Sequence, residues 1–283
     1  MAVATVALVV LVLPAALLLR SVVAVLVAVL VALALGAAAV RLVGRGSASV
    51  ALAATGARPV GADDEPRLHN LVDGLRVAMG VPEPSLWVVE DPSPNVLAVA
   101  RNADESALVV TRGLLDGLTR VELEAVLAHQ LARIRSGEVA AGSAALLALG
   151  GTRVASVPEP SPAGPPASTG RALGPGLQPS ARPARLAWPL LLVAPLTRAL
   201  VVRLVEPGAD SEADVAAVQV TRFPPSLAAA LEKVAAAPEP PAVSDLVAHL
   251  WLVPPDSAND PAVQRVFDPP PPVADRIDTL LEL

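Results

Sequence analysis

The helix predicted at residues 120–138 carries the residues whose types and spacing come closest to known chemistry. Its stretch VLAHQLARIRSGE has the shape of an HExxH helix, in which two His residues four positions apart share one face and bind zinc. In such a helix the Glu after the first His is the general base that activates a water molecule. Here the stretch reads HQLAR at 129–133, so only His129 has the expected residue type.

The segment around this helix has the periodicities of a compact α/β unit. Apolar residues recur at helical spacing along ADDEPRLHNLVDGLRVAMG, and Gly80 and Pro82 end that helix. The short apolar runs SLWVVED, NVLAVARN and SALVVTRG predict strands, and a polar turn at 102–105 joins the last two. Thr119, followed three residues later by Glu122, forms a capping-box pattern that predicts the start of an amphipathic helix containing HQLAR.

Several stretches, taken in order, resemble the HtpX-type membrane zinc metallopeptidases, a group that includes the CaaX prenyl proteases. PNVLAVARNADESALVVTRGLLDGLTRVELEAVLAHQLARIRSGE is similar to the family's edge strand, β-hairpin and HExxH helix. DSEADVAAVQVT is similar to the segment whose first acidic residue is the third zinc ligand, and AHLWLVPP and PPPPVADRIDTLLEL resemble the family's closing motifs. The resemblance covers roughly residues 65–283. It implies an α+β, mostly helical, zincin-like metallopeptidase domain with a small β-sheet.

The resemblance also implies that the zinc site is altered at several positions. Gln130 stands where the family has its catalytic Glu, and a Gln side chain cannot take a proton from water at neutral pH. Arg133 replaces the second His, stays protonated and offers no lone pair. Asp210 stands at the third ligand, four residues before Asp214, which the resemblance places behind the ligands. Only His129 and Asp210 could still coordinate, whereas a catalytic zinc needs three protein ligands, so we expect no zinc cofactor.

We expect an ion pair in the place of the metal. Arg133 would project into the metal position with Asp210 as its partner and His129 nearby, because a buried cation without a partner is very costly. The alternative is that the long side chain of Arg133 extends outward to solvent. Rescue of the zinc site by His69 or His249 is disfavoured, because neither has ligand spacing to another candidate.

The composition indicates a membrane component, since 53% of the residues are hydrophobic and only 17% are charged. Residues 1–44 are almost wholly apolar, with Arg20 and Arg41 as their only side-chain charges. They predict a transmembrane anchor of one or two helices, and a hairpin with Arg20 in its turn is the preferred form. Arg41 and Arg45 follow the second apolar stretch and predict that the soluble part faces the cytoplasm from the cell membrane.

The soluble part is predicted to be one metallopeptidase-like domain over residues 62–283. A Pro-rich disordered loop at 156–185 and a membrane or interfacial helix at 186–205 interrupt it. Residues 211–237 predict two helices separated by a Pro-Pro pair. The net charge of −6, without any basic block, excludes nucleic acid as a partner, and the absence of Cys excludes disulfides and thiolate zinc ligands.

These observations favour a membrane-anchored pseudoprotease that binds peptides or membrane proteins. Asn95, Val96 and Leu97 would form the rim of a substrate cleft, where an extended peptide could add to the sheet edge. The alternatives are an active zinc-dependent metalloendopeptidase with unusual ligands and a structural membrane protein without a cleft function. An open cleft beside the strand would favour the pseudoprotease over the structural protein.

Overall fold

The computed structural model describes residues 48–140, 142–143, 209–237, 247, 250–254 and 271–283. The chain divides into two units, Met1–Leu42 and Val43–Leu283, and every described residue belongs to the second. The predicted anchor at 1–44, Pro-rich loop at 156–185 and helix at 186–205 lie outside the described residues. Within the described part of the chain, no helix combines the length and apolar character needed to cross a membrane.

The described elements are a small sheet and a larger set of helices. The strands are β1 (Arg58–Pro59), β2 (Ser85–Val89), β3 (Val96–Ala100) and β4 (Ser106–Thr111). The helices are α1 (Pro66–Met79), α2 (Arg112–Gly117), α3 (Arg120–Ser136), α4 (Ala209–Thr221), α5 (Pro224–Ala235) and α6 (Val273–Leu281). Residues 48–54 are also helical. The prediction of a mostly helical chain with a small sheet is therefore confirmed.

The sheet has the strand order β1-β2-β4-β3, and β2, β3 and β4 are buried on both faces. β4 runs parallel to β2 and antiparallel to β3. Along β3, Val96 and Ala98 contribute to the apolar cluster that contains α3, whereas Leu97 and Val99 contribute to a second cluster on the opposite face. Because neither face meets water, the strands are continuous apolar runs and show no polar alternation.

Helix α3 lies at the centre of the domain and carries HQLAR. The predicted capping box is present: Thr119 N donates to Glu122 Oε2 at 2.8 Å, and Glu122 N donates to Thr119 Oγ1 at 3.5 Å. The helix ends at Gly137, whose φ of 82° suits a residue without a side chain. The prediction of an amphipathic helix is wrong in one respect. Because α1, α4, α5 and β3 pack around α3, four of its polar residues are buried: Glu122, His129, Gln130 and Arg133.

Helices α4 and α5 are separated as the Pro-Pro pair predicts, and the prolines belong to the second helix. α4 ends at Thr221, and Arg222 follows with a φ of 55°. Pro224 and Pro225 then occupy the first positions of α5, where a missing N–H and a fixed φ are tolerated. This turn packs α5 back against α3 and α6.

Candidate functional site

Helices α3, α4 and α6 meet at a buried polar centre formed by His129, Asp214 and Arg276. His129 is fully buried, and its Nδ1 lies 2.8 Å from Asp214 Oδ1. Arg276 donates from Nε to Asp214 Oδ2 and from Nη2 to Asp214 Oδ1, both at 2.8 Å. The guanidinium therefore holds the carboxylate through two bonds while the imidazole contacts it from α3.

The electrostatics of the buried polar centre keep Asp214 charged. Burial alone would raise the pKa of Asp214, because it penalises the charged form. The hydrogen bonds from Arg276 and the neighbouring imidazole of His129 outweigh that penalty and lower the pKa of Asp214 to about 2. The carboxylate is thus a permanent anion at neutral pH, paired with a permanent cation.

Arg133 lies one helical turn beyond His129 and is buried, with 7% of its surface exposed. Its Nη2 donates to Glu138 Oε1 at 2.8 Å, and its Nε lies 3.2 Å from the same oxygen. The alternative in which Arg133 extends to solvent is therefore wrong, because an acidic partner just beyond the end of α3 holds the guanidinium inside. The side chain of Asp210 lies outside the described residues, so the Arg133–Asp210 pair stays a prediction.

Gln130, at the position of the general base, is fully buried. Both its Oε1 and its Nε2 lack a hydrogen-bond partner among the described residues. An amide cannot accept a proton from water at neutral pH, whatever its surroundings. The arrangement therefore provides no base at this position and adds a desolvation cost of about 1–3 kcal/mol.

The donor set on α3 does not fit a zinc ion. The contact of His129 Nδ1 with Asp214 would direct Nε2 of His129 toward a metal. The next position on that face is the guanidinium of Arg133, which has no lone pair and carries a charge of the same sign as the metal. No group of three or more His, Asp or Glu side chains in the described ranges is placed to hold a metal ion. Asp210 could add one more ligand to His129, which gives two, whereas a catalytic zinc needs three protein ligands.

The residues predicted as a substrate cleft lie together on β3 and its start, and all are buried. Asn95 N donates to Thr111 Oγ1 at 2.8 Å, which fixes the beginning of β3 against the end of β4. Leu97 forms an antiparallel bridge with Trp251, and Leu252 N donates to Val96 O at 2.8 Å. The chain's own residues 250–253 thus lie along the strand. The role of Asn95, Val96 and Leu97 in a peptide cleft stays a prediction.

Two partners of the site were not singled out by sequence reasoning. Arg276 lies within PPPPVADRIDTLLEL, and a lone Arg on an apolar helix face is the signal that could have indicated a buried acidic partner. Glu138 follows Gly137, which ends α3, so it lies five residues from Arg133 and within reach of it. Elsewhere, His69 Nε2 lies 3.1 Å from Val60 O, and His249 is outside the described residues.

A central helix with an altered HExxH face, an Asp-bearing helix packed on it and a small mixed sheet with an antiparallel edge strand define a metallopeptidase-type domain. The sequence model of peptidase family M48 matches residues 62–283, and the chain belongs to that family. The HtpX-type resemblance is thereby confirmed. The match contains α3 with HQLAR and α4 with Asp214, so the altered site lies inside the family domain.

Curated relatives agree with this family. The chain is 31% identical over 239 residues to a protease HtpX homologue of Dictyoglomus turgidum, covering 80% of this chain and 72% of the relative. It is 30% identical over 240 residues to one of Pelotomaculum thermopropionicum, covering 83% and 82%. It is 28% identical over 239 residues to one of Salinibacter ruber, covering 84% and 81%. No solved structure gives a significant match.

Proposed function

We propose that the chain is a pseudoprotease of family M48, which keeps the peptidase domain and does not hydrolyse peptides. The observation that carries this proposal is the buried guanidinium of Arg133, paired with Glu138 where the resemblance places the second zinc-binding His. A fixed cation at this point repels a divalent metal and donates no electron pair. Gln130 beside it supplies no general base. Metal binding and water activation are therefore lost together.

The buried polar centre has a structural use that does not depend on a metal. A carboxylate on the far nitrogen of a His is the arrangement that orients a metal-bound imidazole. Here Asp214 also takes both hydrogen bonds of Arg276, so the same carboxylate joins α3, α4 and α6. These contacts can therefore keep the domain folded without a metal.

The membrane is part of the proposal. The apolar residues 1–44 would tether the domain to the cell membrane, and Arg41 and Arg45 would keep the domain on the cytoplasmic side. Peptides or membrane proteins are the proposed partners, in keeping with a role in quality control of membrane proteins. This step rests on the composition and on the family, since the fold alone does not fix a function.

A cleavage assay tests the proposal. The full chain in detergent is incubated with casein, with and without zinc, beside a variant carrying Gln130→Glu, Arg133→His and Asp210→Glu. The wild type is expected to leave casein intact under both conditions. Zinc-dependent cleavage by the wild type that disappears on His129→Ala would establish the active-enzyme alternative. His69→Ala is the matched control, because that His contacts only a carbonyl near β1 among the described interactions.

A second candidate, a structural membrane protein without a cleft function, is favoured by one observation. The outer edge of β3, where a peptide would add, is already engaged by residues 250–253. A pseudoprotease that binds peptides at this edge must open it, whereas a structural protein need not.

A further inference from the structure

The outer edge of β3 is contacted at both ends by groups of the same chain. Val96 O accepts from Leu252 N at 2.8 Å, and Leu97 bridges to Trp251 in the antiparallel sense. At the other end of the strand, Ala100 N donates to Ser143 Oγ at 3.3 Å. An incoming peptide would need these same backbone groups, because strand addition uses the unpaired edge of a sheet.

Two side chains hold the segment 250–253, which we call the internal strand, in place. Asn95 Nδ2 donates to Val253 O at 2.8 Å, so the side chain at the start of β3 holds the end of the internal strand. Arg276 Nη1 donates to Leu252 O at 3.3 Å. Because Arg276 is itself bound by Asp214, the internal strand is connected to the buried polar centre on α3.

The internal strand contacts the apolar clusters on both faces of the sheet: Leu250 and Trp251 belong to one cluster, and Leu252 and Val253 pack in the other. Trp251 is 2% exposed and belongs to the apolar cluster that contains Trp87 and Leu97. Leu252 is 3% exposed and belongs to the other cluster, which contains α3. The edge of β3 therefore has apolar contacts for both faces of an extended ligand.

We infer that the internal strand is a built-in ligand of the β3 edge, and that this edge receives an extended apolar peptide of the same pattern only after the internal strand leaves. The inference rests on the proposed function, because a domain that binds peptides without cleaving them needs another way to control access. A peptide of this class carries large apolar side chains at successive positions, with an aromatic one where Trp251 lies.

Because the internal strand covers the edge of β3, it should lower the affinity of that edge for a peptide. When the binding-competent form is only a small fraction of the molecules, the apparent affinity falls by that fraction. The wild type is therefore expected to bind a matching peptide weakly. A variant whose internal strand has lost its largest side chain is expected to bind it at least about tenfold more tightly.

The test uses the full chain and a fluorescent peptide with the sequence of residues 247–254, VAHLWLVP. Trp251→Ala removes the anchor of the internal strand and leaves a space that the Trp of the peptide can fill. Trp87→Ala is the matched control, since it removes a buried Trp from the same cluster and keeps the sequence of the internal strand. Trp251→Ala is expected to gain at least about tenfold in affinity for VAHLWLVP and not for VAHLALVP, and Trp87→Ala to gain nothing.

One binding result overturns the inference: a folded Trp251→Ala that binds VAHLWLVP no more tightly than the wild type does. Hydrogen exchange of the wild type decides the matter if that variant does not fold. The amide of Leu252 is expected to exchange at least about tenfold faster than that of Leu127 in α3, through local opening. Equal rates would mean that the internal strand leaves only on global unfolding, which contradicts the inference. Neither readout involves zinc or cleavage, so failure here is distinct from failure of the pseudoprotease proposal.

Discussion

Helix α3 and strand β3 pack against each other, yet they differ from an active peptidase in different ways. On α3, the positions that would bind metal and activate water carry Arg133 and Gln130, whereas His129 still contacts Asp214. On β3, the apolar sequence and the antiparallel pairing are those expected of a peptide-binding edge, but the chain itself covers that edge. On the proposed function, the helix lacks the reactive groups, and the strand is covered by the chain's own residues 250–253.

The difference teaches which interactions the fold depends on. The contacts around Asp214 hold α3, α4 and α6 together, so they stabilise the fold whether or not a substrate is bound. On the proposed function, the side chains at 130 and 133 would serve only the metal and the water, and these are the two that differ in type from the HExxH pattern. Each prediction below perturbs one side of this comparison.

The largest effect is expected at the buried polar centre. Asp214→Asn should lower the free energy of unfolding by about 3–5 kcal/mol, because Arg276 becomes a buried cation without its carboxylate. Thermal unfolding of the full chain in detergent measures the loss. The control is Asp73→Asn, which breaks an exposed pair with Arg76 and should cost less than about 1 kcal/mol. Equal losses in the two variants would mean that the buried polar centre does not stabilise the fold.

The next effect concerns the ion pair that holds Arg133. Glu138→Ala removes an acceptor of a nearly buried guanidinium, and we expect a loss of about 1.5–3 kcal/mol. Arg133→Met in the same background should recover most of that loss, since an apolar side chain of similar length needs no partner. If Arg133→Met destabilises the Glu138→Ala protein further, the guanidinium has another essential partner.

Acid should weaken the buried polar centre in a defined pH window. The folded-state pKa of Asp214, about 2, lies below the ordinary value of 3.8, so its contribution is complete at higher pH and is lost as the pH falls from about 4 to about 2. A shift of this size corresponds to about 2 kcal/mol. The difference in unfolding free energy between wild type and Asp214→Asn, measured against pH, should narrow by about 2 kcal/mol across that window. A difference that does not change with pH would contradict the assignment.

The smallest effect is expected at Gln130. Gln130→Leu replaces a buried amide that lacks a hydrogen-bond partner among the described residues with an apolar side chain of similar size. We expect no loss, or a gain of up to about 1 kcal/mol, because desolvation of the amide is avoided. Thermal unfolding again provides the measurement. A clear loss would show that the amide has a polar partner and a structural role.

Local sequence patterns predicted the helices and strands, whereas the site is formed by contacts between residues that are far apart in sequence. The capping box at Thr119, the apolar strand runs and the helix break at 224–225 each depend on neighbours in sequence, so the sequence alone locates them. The Asp214–Arg276 pair joins residues 62 positions apart, and the Asn95–Val253 bond joins residues 158 positions apart. No periodicity indicates such partners.

The local sequence pattern also did not predict that α3 is buried. Glu122 and Arg133 are both buried, and each has a charged partner: the exposed Lys233 lies 2.7 Å from Glu122, and Glu138 lies 2.8 Å from Arg133. Once α4 and α5 pack on the polar side of α3, these ion pairs allow it to be buried. The sequence predicted that Arg133 would need a carboxylate, and it did not identify Glu138.

Zinc binding tests the central claim most directly. Calorimetric titration of zinc into the full-length wild type is compared with the variant carrying Gln130→Glu, Arg133→His and Asp210→Glu. The account predicts no stoichiometric binding to the wild type and one zinc per chain in the variant. Stoichiometric zinc in the wild type, lost on His129→Ala, would contradict it. A folded variant that stays metal-free would show that the metal position lies elsewhere.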